Sequence, residues 1–478
     1  MGKSDTTMRP LRVAVIGAGP AGVYASDILL RKLAEESDDS QIGTEASIDI
    51  FEKLPAPFGL VRYGVAPDHP AIKWIIGALE KTIANPQIHL FCNVNFGVNI
   101  TLEDIRRFYD IIIFATGAIN DNPLRIPGSQ LPQVTGAAQF VAWYDGYPQA
   151  STPQLTASSV AVIGGGNVAM DISRMLIKNP EDLMNTDIPQ EVLQKLQHNQ
   201  LTDLHLFVRR GPAQAKFSVQ ELRELENLRG VRLMVSDNDF EQIDEATRQQ
   251  LSNDKLARQM LDELEIIRKM AQEMTENSRV AGYDVDKDGN EATRRYWFHF
   301  YSSPQEINER NNIVQSITVN HTHVTPDGKM TLTDQHTTYE VQAVYSAIGY
   351  QPAHVADIPY DDEHLTLQNN EGRTELQNVY VTGWAKRGPV GLIGSTKSDA
   401  LETITHVIED CKKDPQKGRS ASEPTEEDIQ NFLHNKGIQY TDFDGWKKLD
   451  AYERSRTDVP GRSHIKVTDA DLMRRLSK

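Results

Sequence analysis

The chain has 478 residues, 39% of them apolar and 24% charged, and a formal net charge of −17. That length suffices for two or three domains with full cores. The acidic balance excludes nucleic acid as the main partner, because a phosphate-binding face is basic. The two cysteines, Cys92 and Cys411, lie far apart in no motif, which excludes a CxxC redox pair, a zinc knuckle and a cysteine-held iron–sulfur cluster. No metal site is expected.

The first strand-like run, LRVAVIG, begins at Leu11, and no apolar run reaches the length of a membrane span. The expectation is a cytoplasmic protein with no leader peptide and no membrane insertion. MGKSDT at the start fits a loose myristoylation pattern but is read as a polar tail.

VAVIGAGPAGVYASDILL, residues 13 to 30, is an apolar run, then glycines, then an amphipathic helical pattern. Gly17, Gly19 and Gly22 hold the G-x-G-x-x-G positions. Gly17 permits a tight turn, Gly19 lets a pyrophosphate approach the backbone, and Gly22 lets the helix pack on the sheet. SIDIFEK then reads as the second strand, ending at Glu52, whose carboxylate suits the ribose hydroxyls of an adenosine. The gap exceeds the usual ~20 residues, and the polar stretch SDDSQIGTEA reads as a loop insertion. DIIIFATGA, 110 to 118, is a further buried strand closing on a glycine turn.

After a loop at 148 to 159 the pattern repeats as VAVIGGGNVAMDISRMLI, 160 to 177. Here Gly164, Gly166 and Ala169 give the G-x-G-x-x-A variant. The strand LHLFVRR that follows ends not in an acid but in Arg209 and Arg210. A carboxylate there would repel a 2′-phosphate, whereas two guanidinium groups bind it through bidentate, charge-assisted bonds. The first site therefore suits FAD and the second NADPH, a pairing that implies hydride transfer. Residues 241 to 277 read as a solvated surface helix. VQAVYSAIGYQP and NVYVTGWAKRG are apolar runs closing on glycine, and 413 to 426 is a polar linker to a C-terminal tail. Strands alternating with helical stretches predict an α/β fold with largely parallel sheets and two Rossmann-like dinucleotide-binding domains.

RYGVAPDHPAIK (62 to 73), GGGNVAMDISR (164 to 174), VRRGPAQAKFSVQELRE (208 to 224) and GWAKRGPVGLIGSTKSDALET (383 to 403) closely resemble the adrenodoxin reductase-type ferredoxin–NADP reductases. The resemblance runs from about residue 10 to beyond 460 and includes GWKKLDAYERSR and GRSHIKV. It implies an NADP domain inserted in an FAD domain, with boundaries at 10–117, 118–345 and 346–478. Carried over, the FAD site comprises Ala18, Glu52, Leu60, Val94, Trp384, Gly391, Leu392 and Ile393. The NADP site comprises Gly166, Asn167, Val168, Ala169, Arg209, Arg210 and Glu221. His69 and Glu221 fall in motifs that face the reaction centre in this family and are the catalytic candidates. The implied partner is a ferredoxin-type iron–sulfur protein, and the family leans monomeric. Where the family usually reads Gly-Val-Ile-Gly-Thr-Asn-Lys, this chain has GLIGSTK, so any contact made by that Asn is in doubt.

The helix entered from GLIG, with Lys397 nearby, would set positive potential against the flavin. An acidic partner needs a basic dock. Candidates are the six cations of residues 205 to 232 (Arg209, Arg210, Lys216, Arg223, Arg229, Arg232), then Lys386, Arg387 and Lys397, then Arg294 and Arg295. Two rival readings stay open. One is an NADPH oxidase or quinone reductase with a small-molecule acceptor. The other is a non-catalytic NADP(H) sensor.

Overall fold

Near-continuous runs of buried residues along VAVI and IDIF set the central strands of a parallel sheet covered on both faces. In the computed structural model, described for residues 9–35, 45–325, 328–391, 393–413, 426–457 and 460–478, the chain divides into two units. The first comprises residues 1–120, 145–149 and 350–478, and the second 121–144 and 150–349. No helix among the described residues is long and apolar enough to cross a membrane.

The first unit is built on β1 (Leu11–Ile16), β2 (Ala46–Glu52), β3 (Ile88–Cys92), β4 (Ile111–Phe114) and the strand Val379–Val381. All run parallel, in the order Val379–Val381, β4, β1, β2, β3. The two-residue period sorts the core. Val13 and Val15 join one apolar cluster with Ile48, Ile50 and Ile404, while Ala14 and Ile16 join another with Phe51, Phe114 and Val381. Helix α1 (Pro20–Ala34) starts at Gly19 with Pro20 in its first turn, where a missing N–H costs nothing.

The strands of the second unit are β5 (Val134–Gly136), β6 (Ser159–Ile163), β7 (Asp203–Phe207), β8 (Val231–Met234), β9 (Arg294–His299), β10 (Ser302–Arg310), β11 (Ile313–Val324), β12 (Met330–Glu340) and β13 (Ala343–Ser346). Six form a parallel sheet in the order β5, β13, β6, β7, β9, β8. The other three, β10 to β12, form an antiparallel sheet that the sequence reading did not foresee. Its signal was Asn311-Asn312, two adjacent residues at positive φ (57° and 64°) that make a hairpin turn.

The expectation of one solvated helix over 241 to 277 is corrected. The segment forms two helices, Glu245–Ser252 and Lys255–Ala281, after a short one at Asp237–Glu241. The last buries Met260, Leu261, Leu264, Ile267, Ala271 and Met274 at three- to four-residue spacing. The flanking charges masked that stripe.

Between β7 and β9 a histidine pair is built into the second unit. His205 Nδ1 lies 2.9 Å from His299 Nε2, and the rings stack on each other and on Trp297 and Phe207. A shared N–H···N bond needs one neutral imidazole as acceptor. Burial lowers His205 to about 4 and His299 to about 3. The unfolded chain therefore takes up protons first as pH falls. The pair's stabilisation is complete above the ordinary histidine value and drains away from there down to about pH 4. Between about pH 7 and pH 5 unfolding should become easier by on the order of 2 kcal/mol. His299→Gln should flatten that slope in a chemical-denaturation series. An equal slope in parent and variant would assign the acid sensitivity elsewhere.

Candidate functional site

Each Gly-loop is shaped by what a Cβ would strike. At Gly17 (φ 116°) a Cβ would sit 2.4 Å from the Ala115 carbonyl oxygen, and at Gly22 it would sit 2.1 Å from the Gly17 oxygen. Only glycine permits that turn and that helix-to-strand approach. Gly59 (φ 49°) brings its own Cα against Gly19, leaving a backbone-lined groove at the start of α1.

Glu52 closes β2 and is 7% exposed. Its Oε2 accepts from Ala18 N and its Oε1 from Leu54 N, both at 3.0 Å. Burial raises its pKa while those two amides lower it. Each oxygen keeps a lone pair for a further donor, which suits two vicinal hydroxyls. Buried Val94 donates its N–H to the Glu52 carbonyl at 2.9 Å. Ala18, fully buried, accepts from Phe58 N at 2.9 Å, just ahead of the short helix Leu60–Tyr63 that carries Leu60. Two buried polar atoms at this end of the unit, Thr116 Oγ1 and Trp384 Nε1, lack a hydrogen-bond partner among the described residues, as expected where a ligand supplies it.

Trp384 opens the helix Trp384–Arg387, and Gly391 (φ 85°) precedes the helix Ile393–Lys413. A Cβ at Gly391 would meet Ser395 Oγ at 2.2 Å. Ile393 is half-buried, and Leu392 lies outside the described residues, as do most of the expected insertion and the linker. His69 caps the helix Pro70–Lys73 and is 4% exposed, with Nε2 3.9 Å from Asp68 Oδ1.

In the second unit Gly164 takes φ 155°, where a Cβ would lie 2.4 Å from the Ala347 oxygen. Gly166 caps α2 (Asn167–Ile177), and a Cβ there would meet nothing within 4 Å, so the space over the helix start is open. Asn167 Oδ1 accepts from Ser218 N at 2.8 Å, tying this helix start to that of α3 (Val219–Glu226). Val168 follows Asn167 in the first turn, and buried Ala169 packs where a third glycine would stand. Glu221 is 6% exposed, and its carboxylate accepts from Arg174 Nη1 at 2.5 Å. Arg174, wholly buried, also holds Asp171 at 2.6 Å. That clamp fixes the orientation of Glu221.

The two Gly-loop units share one register. Ile16 pairs with Phe51 in the first, and Ile163 pairs with Phe207 in the second. The residue after Phe51 is Glu52, and the residue after Phe207 is Val208. At the position of the acid the second unit thus carries an apolar side chain, with Arg209 and Arg210 next. Arg209 is exposed, Arg210 half-buried, and neither has an ion-pair partner among the described residues. Arg210 Nε is buried without a hydrogen-bond acceptor.

The sequence reading placed Lys216 in a possible docking patch. The structure ties its backbone to the glycine loop, with Lys216 N donating to the Gly165 oxygen at 2.8 Å, and leaves its side chain exposed. Other members of that patch are neutralised: Arg223 by Glu263, Arg229 by Asp182 and Arg232 by Asp284. Lys386 is buried against Asp399 and Glu402, Arg294 bonds the carbonyls of Ile177 and Lys178, and Arg295 pairs with Asp203. These are not free charges for a partner, and spacing alone does not reveal such pairing.

No protein-family model matches the sequence. Whole-chain comparison is decisive. NADPH-ferredoxin reductase FprA of Mycobacterium tuberculosis is 33% identical over 477 residues, spanning 98% of this chain and 99% of the relative. The mitochondrial NADPH:adrenodoxin oxidoreductase of Homo sapiens is 32% identical over 490 residues, spanning 99% and 93%. This chain belongs to the adrenodoxin reductase-type ferredoxin–NADP reductases. Among solved structures, Mycobacterium tuberculosis FprA in complex with NADPH matches with a TM-score of 0.87 at 31% identity, over 98% of this chain and 100% of that one. Family membership accounts for both Gly-loop units of this ferredoxin reductase, one ending its second strand in an acid and the other in arginines.

Proposed function

We propose that this chain is an NADPH-dependent flavoprotein that passes electrons to a ferredoxin-type iron–sulfur protein, with FAD held by the first unit and NADPH by the second. The carrying observation is the contrast at one register position: Glu52 in one unit, and in the other Val208 followed by Arg209 and Arg210, which have no ion-pair partner among the described residues. FAD, when bound, accepts two electrons as a hydride and releases them one at a time.

The residues of the chain do the rest. Glu52 orients an adenosine ribose, and the Gly17–Gly22 turn seats a pyrophosphate at the start of α1. Thr116 and Trp384 offer their unused donors. In the second unit Arg209 and Arg210 take the 2′-phosphate, and Lys216, anchored on Gly165, adds a cation beside the diphosphate. His69 and Glu221 are the candidates for positioning the nicotinamide. Glu221 acts as a fixed acceptor because Arg174 holds it. The 10–117, 118–345 and 346–478 domain division and a monomeric, cytoplasmic enzyme complete the reading.

The test is an anaerobic titration of the yellow holoprotein with NADPH and then NADH, followed in the visible spectrum. Bleaching at far lower NADPH than NADH is expected. Equal response would remove the phosphate role of the arginines. A small-molecule oxidase would turn over quinones rapidly and gain little from added ferredoxin.

A further inference from the structure

The two arginines stand on a loop, and a loop end is ordinarily mobile. Here its backbone is held residue by residue from the antiparallel sheet. Thr322 Oγ1 donates to the Arg209 carbonyl at 2.7 Å, and Tyr301 N donates to the Arg210 carbonyl at 3.1 Å. The two donors are joined to each other, because Thr322 N donates to the Tyr301 oxygen at 2.8 Å. Ser302 N reaches back to the Val208 oxygen at 3.0 Å. Thr322 and Tyr301 are 4% and 6% exposed.

Two features show that this contact is built in. Tyr301 sits at φ 50°, a conformation that a bulky aromatic residue rarely adopts. Its phenol end packs against the next loop residue, since a Cβ at Gly211 would stand 2.1 Å from the Tyr301 hydroxyl oxygen and 2.3 Å from Cζ. The carbonyls of Arg209 and Arg210 and the Cα of Gly211 are thus fixed, while both guanidinium groups are left without an acid among the described residues. A rigid backbone beneath two uncommitted forks is a preorganised anion receptor.

We infer that Thr322 and Tyr301 are positioning residues for dinucleotide choice: they hold the Arg209–Arg210 backbone so that both side chains meet the 2′-phosphate together. The inference rests on the assignment of that phosphate to the two arginines. Both act through the Arg209 and Arg210 carbonyls. The antiparallel sheet β10–β12, which contributes no strand to the parallel sheet, thereby acquires a role in discriminating NADPH from NADH.

The test compares kcat and KM for NADPH and for NADH in the holoenzyme with a one-electron dye acceptor. Thr322→Val keeps the strand and its shape but removes the donor. It should raise KM for NADPH about three- to ten-fold, the value of one hydrogen bond, with kcat and both NADH parameters unchanged. Thr322→Ser should restore the parent. An equal rise for both nucleotides would mean that Thr322 is merely structural and would overturn the inference. So would an unchanged preference in Thr322→Val alongside its collapse in the arginine variants. Arginine variants that keep the preference would overturn the phosphate assignment first, and this inference with it.

Discussion

Replacing Arg209 and Arg210 together by alanine is expected to lower kcat/KM for NADPH by about 10²- to 10³-fold, each charge-assisted contact being worth roughly 1.5–3 kcal/mol with incomplete additivity. NADH, which lacks the 2′-phosphate, should lose nothing and serves as the internal control. The expected size follows from the state of the two side chains. Arginines already paired with acids would surrender those bonds on binding, and the net gain would be small. Among the described residues these two have no such partner to give up, and Val208 removes the carboxylate that a ribose-binding site would place before them. Lys397, exposed and on the other unit, is a suitable negative control: Lys397→Ala should leave the NADPH:NADH ratio alone. A double arginine variant that keeps its preference would sink the assignment of the second unit to NADPH by phosphate recognition.

Much of this was legible before any fold was in view, for a definite reason. A dinucleotide loop constrains sequence tightly: Gly17, Gly22 and Gly164 are positions where backbone or a neighbouring side chain stands within 3 Å of any Cβ, so the motif is a direct imprint of sterics. The strand-end charge is legible for a similar reason, because ligand chemistry selects the sign. What escaped the reading is set by long-range packing. Asn311-Asn312 carried the hairpin signal of β10–β11 locally, but nothing local says that Thr322 would meet the Arg209 carbonyl, 113 positions away. Nor does a run of arginines disclose that Arg229 and Arg232 are answered by Asp182 and Asp284. Charge counts in a segment overstate the charge on a surface whenever the counter-ions come from elsewhere in the chain.

The second large effect concerns the C-terminal segment, whose role the sequence left open. Glu453→Ala should destabilise the first unit by about 3–5 kcal/mol, the cost of leaving a buried charge without its partner. Glu453 lies on the helix Phe443–Ser455 and is wholly buried. Its Oε1 accepts from Arg62 Nη2 at 2.6 Å and from Val467 N at 2.8 Å. Arg62, 3% exposed, also lies over the Trp446 ring at 5.1 Å. Removing the carboxylate strands a guanidinium in that apolar setting and frees the strand-like run around Val467. Because Arg62 shares its short helix with Leu60, flavin retention should fall with stability. Thermal unfolding followed by flavin fluorescence reads both at once. Glu453→Gln, which keeps an acceptor of the same shape, should lose less. An alanine variant melting with the parent would show that the pair contributes no net stability.

Lys466 completes that segment. It is 1% exposed, and its Nζ donates to the carbonyls of Arg62 (2.8 Å) and Asp145 (3.0 Å) and to Asp145 Oδ1 at 3.1 Å. Lys73 Nζ reaches the same carboxylate oxygen at 3.2 Å. Asp145 belongs to the five residues, 145–149, that interrupt the second unit and count with the first. The consequence falls on anyone who would exchange cofactor modules between such enzymes. A graft that takes everything from 121 to 349 as one cassette also removes the Asp145 carboxylate on which Lys73 and Lys466 converge. A cassette of 121–144 together with 150–349 keeps β5 beside β13 and leaves that anchor in its host. The natural seam for recombining nucleotide preference in this architecture therefore has a third break, around residues 145–149, besides the two outer crossings of the chain.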